Sequence, residues 1–400
     1  MSAFRRTVTV RLAPGIPTTV RLRPDGTNDM APPSDIIVVG AGIVGAAVAY
    51  ELARRGAAVR IVDERPAGMG ATQASAGVLA PYIEAREDSP FLDLTVRGLE
   101  LFDTFIPRVA ADSAIAIPYK RTGTIDIAMS EADLHNLELN AAMLAKRGVN
   151  ALMLDAASVR AEEPQIGGDA VGGLVIETHG FVAAGDQTRA LVAAARAHGA
   201  QVAEQSRVQR ITTRAGEAVV ETRGGSLKGG AVVFAPGSWA GQIAIDGVSA
   251  PVPVRPVRGQ LLWLGWIGQP LRRVTWSSRC YLVPWDDGTL LLGATVEEAG
   301  FDERATVAGV RDLLDAACEI VPQAWSAGFR GARVGLRPAS SDGLPIIGPS
   351  SVVPNLVYAT GHYRNGVLLA PLTAQLVADA MLDNRADPLL AAVSPARFGL

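Results

Sequence analysis

The sequence predicts an α/β protein of two domains, one of them a dinucleotide-binding unit, and three observations carry that expectation. A glycine fingerprint stands between a strand-like run and a helix-like run near residue 40. Helical and strand-like segments then mix along the chain, with β-rich stretches inserted between α/β segments. Finally, 400 residues with 48% hydrophobic and 19% charged side chains can bury a large core, and at roughly 100 to 200 residues per domain they correspond to two domains, or three.

Residues 1–34 read differently from the rest of the chain. Arg5, Arg6, Arg11, Arg21 and Arg23 precede the first acid, Asp25, and a Pro-rich MAPPSD leads into the first apolar run. The segment lacks the apolar stretch of a secretory signal, and Arg5-Arg6 has no hydrophobic stretch behind it. A disordered leader or a mis-called start, with Met30 as the natural first residue, is expected; a transit peptide is the other reading.

The longest apolar run, Ile36 to Tyr50, is interrupted by three glycines and followed by Glu51, Arg54 and Arg55. A membrane span needs about 20 unbroken apolar residues, so this run is a buried strand and helix. The strand Asp35 to Val39 enters Gly40-Ala41-Gly42-Ile43-Val44-Gly45, a helix follows to Arg55, and Gly56 stops it. A second strand, Ala57 to Val62, ends at Asp63, 23 positions after Gly40. In such a unit the first glycine makes the turn, the second admits a pyrophosphate, and the third lets helix pack on strand. The helix N-terminus offers its N–H groups to the phosphates. Asp63 can accept from a ribose hydroxyl, and with Glu64 it opposes a 2′-phosphate. The fingerprint does not choose between NAD and FAD. The adjoining GMGATQASAGVLAP, residues 68–81, reads either as a second cradle for a ligand that extends past the pyrophosphate or as an ordinary Gly/Ala-rich turn.

Downstream, helices are expected at Leu92 to Val109, Glu131 to Arg147, Gly185 to His198, Val307 to Ile320 and Val367 to Leu382. Strands are expected at Gly123 to Ala128, Ala218 to Thr222, Ala231 to Phe234, Gln260 to Trp263, Tyr281 to Pro284, Leu290 to Ala294 and Leu356 to Ala359. Asp286-Asp287-Gly288 forms a hairpin turn between two of them.

Composition excludes several functions. A net charge of −3 and a pI of 5.9 give no field that would gather nucleic acid or an anionic membrane. Of 37 basic residues only three are Lys (Lys120, Lys146, Lys228), leaving 34 Arg; all three lysines sit in polar contexts, which argues against Schiff-base chemistry. The four histidines, His135, His179, His198 and His362, have no paired-ligand spacing, so no protein-bound metal is expected. Two cysteines, Cys280 and Cys318, cannot form a disulfide framework and suggest a reducing, cytoplasmic compartment.

The chain from Asp35 onward resembles the D-amino-acid oxidase superfamily of flavoenzymes, most closely the glycine oxidases linked to thiamin biosynthesis. The resemblance is carried by GAGIVGAAVAYELARRG, GMGATQASAGVLAP, APGSWA at 235–240, CYLVP at 280–284, GLRPASSDGLPIIGP at 335–349 and GHYRNGVLLAP at 361–371. It implies a discontinuous FAD-binding, Rossmann-like domain (35–116, 178–248, 338–397) and an α+β substrate domain built on an antiparallel sheet (117–177, 249–337). By resemblance FAD is held by Gly40, Gly42, Ile43, Val44, Gly45, Asp63, Glu64, Thr72, Ser75, Ala76, Gly77, Val208, Ala235 and Gly237. The segment Gly361, His362, Tyr363, Arg364, Asn365, Gly366, Val367 and Leu368 would wrap the flavin ring.

The resemblance also makes Arg337 the carboxylate-holding residue, a role that suits the two-pronged guanidinium fork, and adds the Tyr281 hydroxyl. Arg364 either shapes the site or forms a structural ion pair. The final helix, with Pro371 in its first turn, would turn its positive end to the flavin. Hydride transfer from a neutral amine needs positioning rather than a base, so His362 reads as a packing residue. Cys280 reads as a buried small residue, although some relatives of the superfamily hold FAD covalently. Val78 stands where glycine oxidases can carry methionine, which would reshape the pocket for glycine, sarcosine, a small D-amino acid or another N-substituted glycine.

The expected reaction is oxidation of a small amino acid or amine, with dioxygen as acceptor and hydrogen peroxide, ammonia and an oxo acid as products. A homo-oligomer is compatible with this reading, as are two alternatives: a dehydrogenase passing electrons to a quinone or partner, and a non-catalytic FAD-binding subunit.

Overall fold

The computed structural model describes residues 7–13, 16–21, 36–83, 87–214 and 216–400. Within residues 1–34 it describes the backbone of one antiparallel ribbon, Thr7–Ala13 with Ile16–Arg21; the remainder of the expected leader lies outside the described residues.

Strand Ile36–Val39 is buried along its whole length, and it sits inside a six-stranded sheet. The order is Gln201–Ala203, Val59–Val62, Ile36–Val39, Ala231–Phe234, Leu356–Thr360, Ile346–Pro349. The first five are parallel and only Ile346–Pro349 runs against its neighbour. Burial on both faces explains why the central strands Ile36–Val39 and Ala231–Phe234 read as unbroken apolar runs rather than as alternating ones. Helices Ile43–Arg54, Ala184–Ala197 and Gly366–Leu382 share an alanine-rich core on one face, with Ala46, Ala49, Ala194, Ala374 and Ala378 fully or almost fully buried. A small four-stranded sheet, Gly225–Gly229, Glu217–Thr222, Val208–Arg214 and Ala244–Ile245, contributes Ile211 and Val220 to the core on the other face.

The second large sheet has eight strands in the order Gly328–Ser340, Val254–Gly265, Thr289–Gly293, Tyr281–Pro284, Val274–Trp276, Thr124–Ala128, Gly172–Ile176, Ala151–Asp155. Every pairing is antiparallel except Val274–Trp276 with Thr124–Ala128. Helix Val307–Ile320, capped by Thr306 Oγ1 accepting from Gly309 N, buries Leu313, Ala316, Ala317 and Ile320 against Leu262, Leu290 and Leu292 of this sheet. The hairpin at Asp286-Asp287-Gly288 is present: Gly288 has φ +76°, and Asp287 Oδ1 accepts from Thr289 N at 2.8 Å.

Two local expectations change. The segment from Leu92 to Val109 is two helices, Pro90–Glu100 and Phe102–Ser113, meeting at Leu101. The last helix starts at Gly366, so Pro371 is its sixth residue and lies in the second turn, not the first. Among the described residues no helix is long and apolar enough to cross a membrane.

Candidate active site

The fingerprint loop is built from three glycines with different reasons to be glycine. Gly40 has φ +106°, and a Cβ there would lie 2.7 Å from the carbonyl carbon of Ala235. At Gly45 a Cβ would run into the Gly40 carbonyl, 3.0 Å from its carbon. Both are demanded by packing within the fold. Gly42 is not: φ is −67°, and the nearest atom to a Cβ is Thr72 Oγ1 at 3.7 Å. The space above it belongs to a large cavity. Helix Ile43–Arg54 begins there with Gly42 at its N-cap and so no local side-chain cap; its first N–H, that of Ile43, donates to Thr72 Oγ1 at 3.2 Å.

Asp63 closes the loop from the second strand. Its Oδ2 accepts from Ala41 N at 2.6 Å and its Oδ1 from Arg65 N at 2.8 Å, while burial raises its pKa against those two bonds. Asp63 therefore braces the fingerprint turn as well as facing the cavity. Glu64 beside it is half exposed and 3.6 Å from Arg207. Segment 68–81 folds as a 3₁₀ turn, Ala71–Ala74, and a short strand, Val78–Leu79. Ser75 Oγ accepts from Gly77 N at 3.1 Å, and a Cβ at Gly77 would sit 2.9 Å from the Val182 carbonyl carbon.

The cavity, of about 710 Å³, is lined by Gly40, Gly42, Ile43, Val44, Gly45, Asp63, Glu64, Thr72, Ser75, Ala76, Gly77, Val78, Val208, Ala235 and Gly237. The same cavity continues to Tyr281, Arg337, His362, Tyr363, Arg364, Asn365, Gly366, Val367 and Leu368. Of the expected site residues only Gly361 does not line it; with φ +72° and Ile346 and Ser340 packed against it, Gly361 serves the turn out of strand Leu356–Thr360. Helix Gly366–Leu382 also starts at the cavity without a side-chain cap. Two helix N-termini thus face one elongated space, each with a partial positive charge of about half a unit. That arrangement, with an open approach over Gly42, fits an extended dinucleotide whose pyrophosphate meets the first helix and whose electron-accepting ring meets the last.

His362 lines the cavity, but its imidazole is engaged in a buried hydrogen bond. The ring is buried, its Nε2 is 3.0 Å from Thr373 Oγ1, and burial lowers its pKa to about 3. It is neutral at ordinary pH and occupied with Thr373. Arg364 is exposed, its guanidinium 5.4 Å from the centre of the Tyr363 ring. Cys280 is buried beside Ser277, and burial pushes its thiol up to about 12, so it is not a ready nucleophile.

At the far end Arg337 projects from strand Gly328–Ser340, and its Nη1 donates to Thr295 O at 2.9 Å. The Tyr281 ring stacks on Trp276, centroids 4.7 Å apart and planes at 26°; Val78 belongs to the same apolar cluster. Sequence reasoning missed Trp276, Ser238 and Thr295. Trp276 is the cross-strand partner of Tyr281, a relation the short SSRC connection could have signalled. Ser238 lies within APGSWA and donates to Leu336 O at 2.7 Å, tying that motif to the strand of Arg337. No group of acidic, His or Cys side chains that could hold a metal occurs among the described residues.

The sequence model of the family described as FAD dependent oxidoreductase matches residues 35–380. A glycine oxidase of Geobacillus kaustophilus is 33% identical over 348 residues, covering 86% of this chain and 92% of that protein. The bifunctional protein ThiO/ThiG of a Synechocystis species is 33% identical over 372 residues, 91% of this chain; the chain spans only 54% of that relative's length. Among solved structures, the crystal structure of glycine oxidase from Geobacillus kaustophilus superposes with a TM-score of 0.87 at 32% identity, over 90% of this chain and 98% of that one.

Proposed function

The chain belongs to the FAD dependent oxidoreductase family, and from that membership we propose that it oxidises glycine or a similarly small amino acid or N-substituted glycine. One observation carries the reading: a single cavity joins the dinucleotide cradle to Arg337 and Tyr281. When bound, FAD would accept the two electrons released from the substrate's α-carbon. Arg337 orients the carboxylate by paired, charge-assisted hydrogen bonds, and Tyr281, steadied by Trp276, adds a hydroxyl donor. Val78, Trp276 and Tyr281 form an apolar wall that limits water around the amine. No side-chain base is required, and the neutral, Thr373-bonded His362 is in keeping with that.

The net change is amino acid plus water plus dioxygen to oxo acid, hydrogen peroxide and ammonia, with the N-substituted amine released in place of ammonia when the substrate is an N-substituted glycine. We assign residues 35–116, 178–248 and 338–397 to the cofactor unit and 117–177 and 249–337 to the substrate unit; the six-stranded and eight-stranded sheets support this division, strand Gly328–Ser340 of the second crossing from one unit to the other at its end. The resemblance to glycine oxidases of thiamin biosynthesis further supports a role in supplying thiazole synthesis. The test is stoichiometry with glycine, sarcosine and D-alanine in air. One peroxide formed per substrate consumed is expected. Turnover that proceeds only with an added acceptor dye would make the protein a dehydrogenase, and no turnover with any acceptor would remove the assignment.

A further inference from the structure

The cavity-facing side of the eight-stranded sheet carries glycines where strands normally present side chains. Gly259 pairs with Gly335, Leu261 pairs with Gly293, and Gly293 also pairs with Tyr281. A glycine inside a strand weakens it and commonly marks a close approach. Each of these three hollows is filled by something different. Over Gly335 lies backbone of the cofactor side: a Cβ would be 3.1 Å from Ala71 O and 2.9 Å from Ala74 Cβ. Over Gly259 lies the Arg337 guanidinium, its Cζ 2.5 Å from where a Cβ would be. Over Gly293 lies the Tyr281 ring, its Cζ also at 2.5 Å.

We infer that Gly259 and Gly293 are positioning residues: bare backbone beds that let Arg337 and Tyr281 lie flat against the sheet at the height that grips a substrate carboxylate. The inference rests on the proposed role of those two side chains. Tyr281 is held between Trp276 on one neighbouring strand and Gly293 on the other. Arg337 rests on Gly259 and donates to Thr295 O, whose residue is itself fixed by Gln260 N donating to Thr295 Oγ1 at 2.9 Å. A methyl group at either glycine falls well inside van der Waals contact. What it meets is the end of a side chain rather than backbone, so the strands stay and the clamp moves. A shift of about 1 Å is enough to lose a paired hydrogen-bond geometry and can cost on the order of a hundredfold.

The test uses FAD-loaded protein and two probes, acetate and its neutral counterpart acetamide, with binding read from the flavin absorbance change. Gly259→Ala and Gly293→Ala should weaken acetate at least tenfold, leave FAD content unchanged, and reduce the preference for acetate over acetamide. In the double variants Gly293→Ala/Tyr281→Ala and Gly259→Ala/Arg337→Ala, the glycine change should add nothing to the loss caused by the second one. Single variants that bind acetate as the wild type does would overturn the inference while leaving the carboxylate clamp intact. So would a glycine change that unfolds the protein equally with and without its overlying side chain. A wild type indifferent to acetate would instead overturn the clamp, and the inference with it.

Discussion

Gly42→Ala and Gly45→Ala are the same chemical change three residues apart, and the structure gives them opposite consequences. At Gly42 the backbone is extended, φ −67° and ψ 175°, a conformation any residue adopts, and the added methyl meets only Thr72 Oγ1 at 3.7 Å. The cofactor-free protein should therefore change by less than about 0.5 kcal/mol, or gain up to about 1 kcal/mol from a stiffer unfolded chain. The methyl would, however, enter the cavity where the pyrophosphate is proposed to lie. Losing two charge-assisted hydrogen bonds, at about 1.5–3 kcal/mol each, weakens FAD by roughly two to four orders of magnitude in Kd. At Gly45 the methyl collides with the Gly40 carbonyl, 3.0 Å from its carbon, and overpacking against rigid backbone costs about 3 kcal/mol or more. The assay pairs urea unfolding of cofactor-free protein with FAD titration followed by quenching of flavin fluorescence. Wild-type FAD affinity in Gly42→Ala, or unchanged stability in Gly45→Ala, would refute the reasoning.

Arg337→Ala should raise the KM for a carboxylate substrate by about two to four orders of magnitude, from two charge-assisted bonds lost, with FAD affinity unaffected in a fluorescence titration. His362 has its pKa lowered by burial from 6.5 to about 3; below pH 6.5 the unfolded chain binds a proton that the folded one refuses, so stability falls as pH drops toward 3. Between pH 7 and pH 5 this one group accounts for about 2 kcal/mol, and His362→Gln should lose that much less over the same interval in urea melts. Arg55 joins Glu51 at 2.7 Å to Asp379 at 2.7 Å, linking the first and last helices; because Glu51 keeps Arg54 and Asp379 keeps Arg385, Arg55→Met should cost only about 1 kcal/mol in chemical unfolding. The buried Cys280 thiol, pushed up to about 12, should resist iodoacetamide in the folded protein while Cys318 reacts, and acid denaturation should release all flavin into the supernatant.

How much of this was legible depends on how far apart the participants lie in the chain. The fingerprint, Asp63 and the segment 68–81 are contiguous, and their glycines and hydroxyls declare themselves locally. Helix Val307–Ile320 matched its apolar periodicity end to end. Strand Val254–Gly265 was legible only at Gln260 to Trp263, because Arg255, Pro256, Arg258 and Gly259 do not read as strand. The structure explains those residues: Arg258 is buried against Glu297 and Asp302, and Gly259 lies under Arg337. Trp276 and Gly293 reach the site only through the register of the eight-stranded sheet, which pairs residues whose spacing in sequence carries no periodic signal, and Thr295, just past strand Thr289–Gly293, through its hydrogen bonds to Gln260. The helix break at Leu101 was illegible for another reason: neither Gly nor Pro stands at the junction, and the apolar pattern runs through it.

The central claim is that one cavity brings a small amino acid, held by Arg337 and Tyr281, to a bound FAD. Anaerobic titration of the yellow protein with glycine, sarcosine and D-alanine tests it most directly. Bleaching of the visible flavin band by at least one of them, abolished at the same concentrations in Arg337→Ala, is the predicted result. A protein that dithionite bleaches but that stays yellow with all three would contradict it.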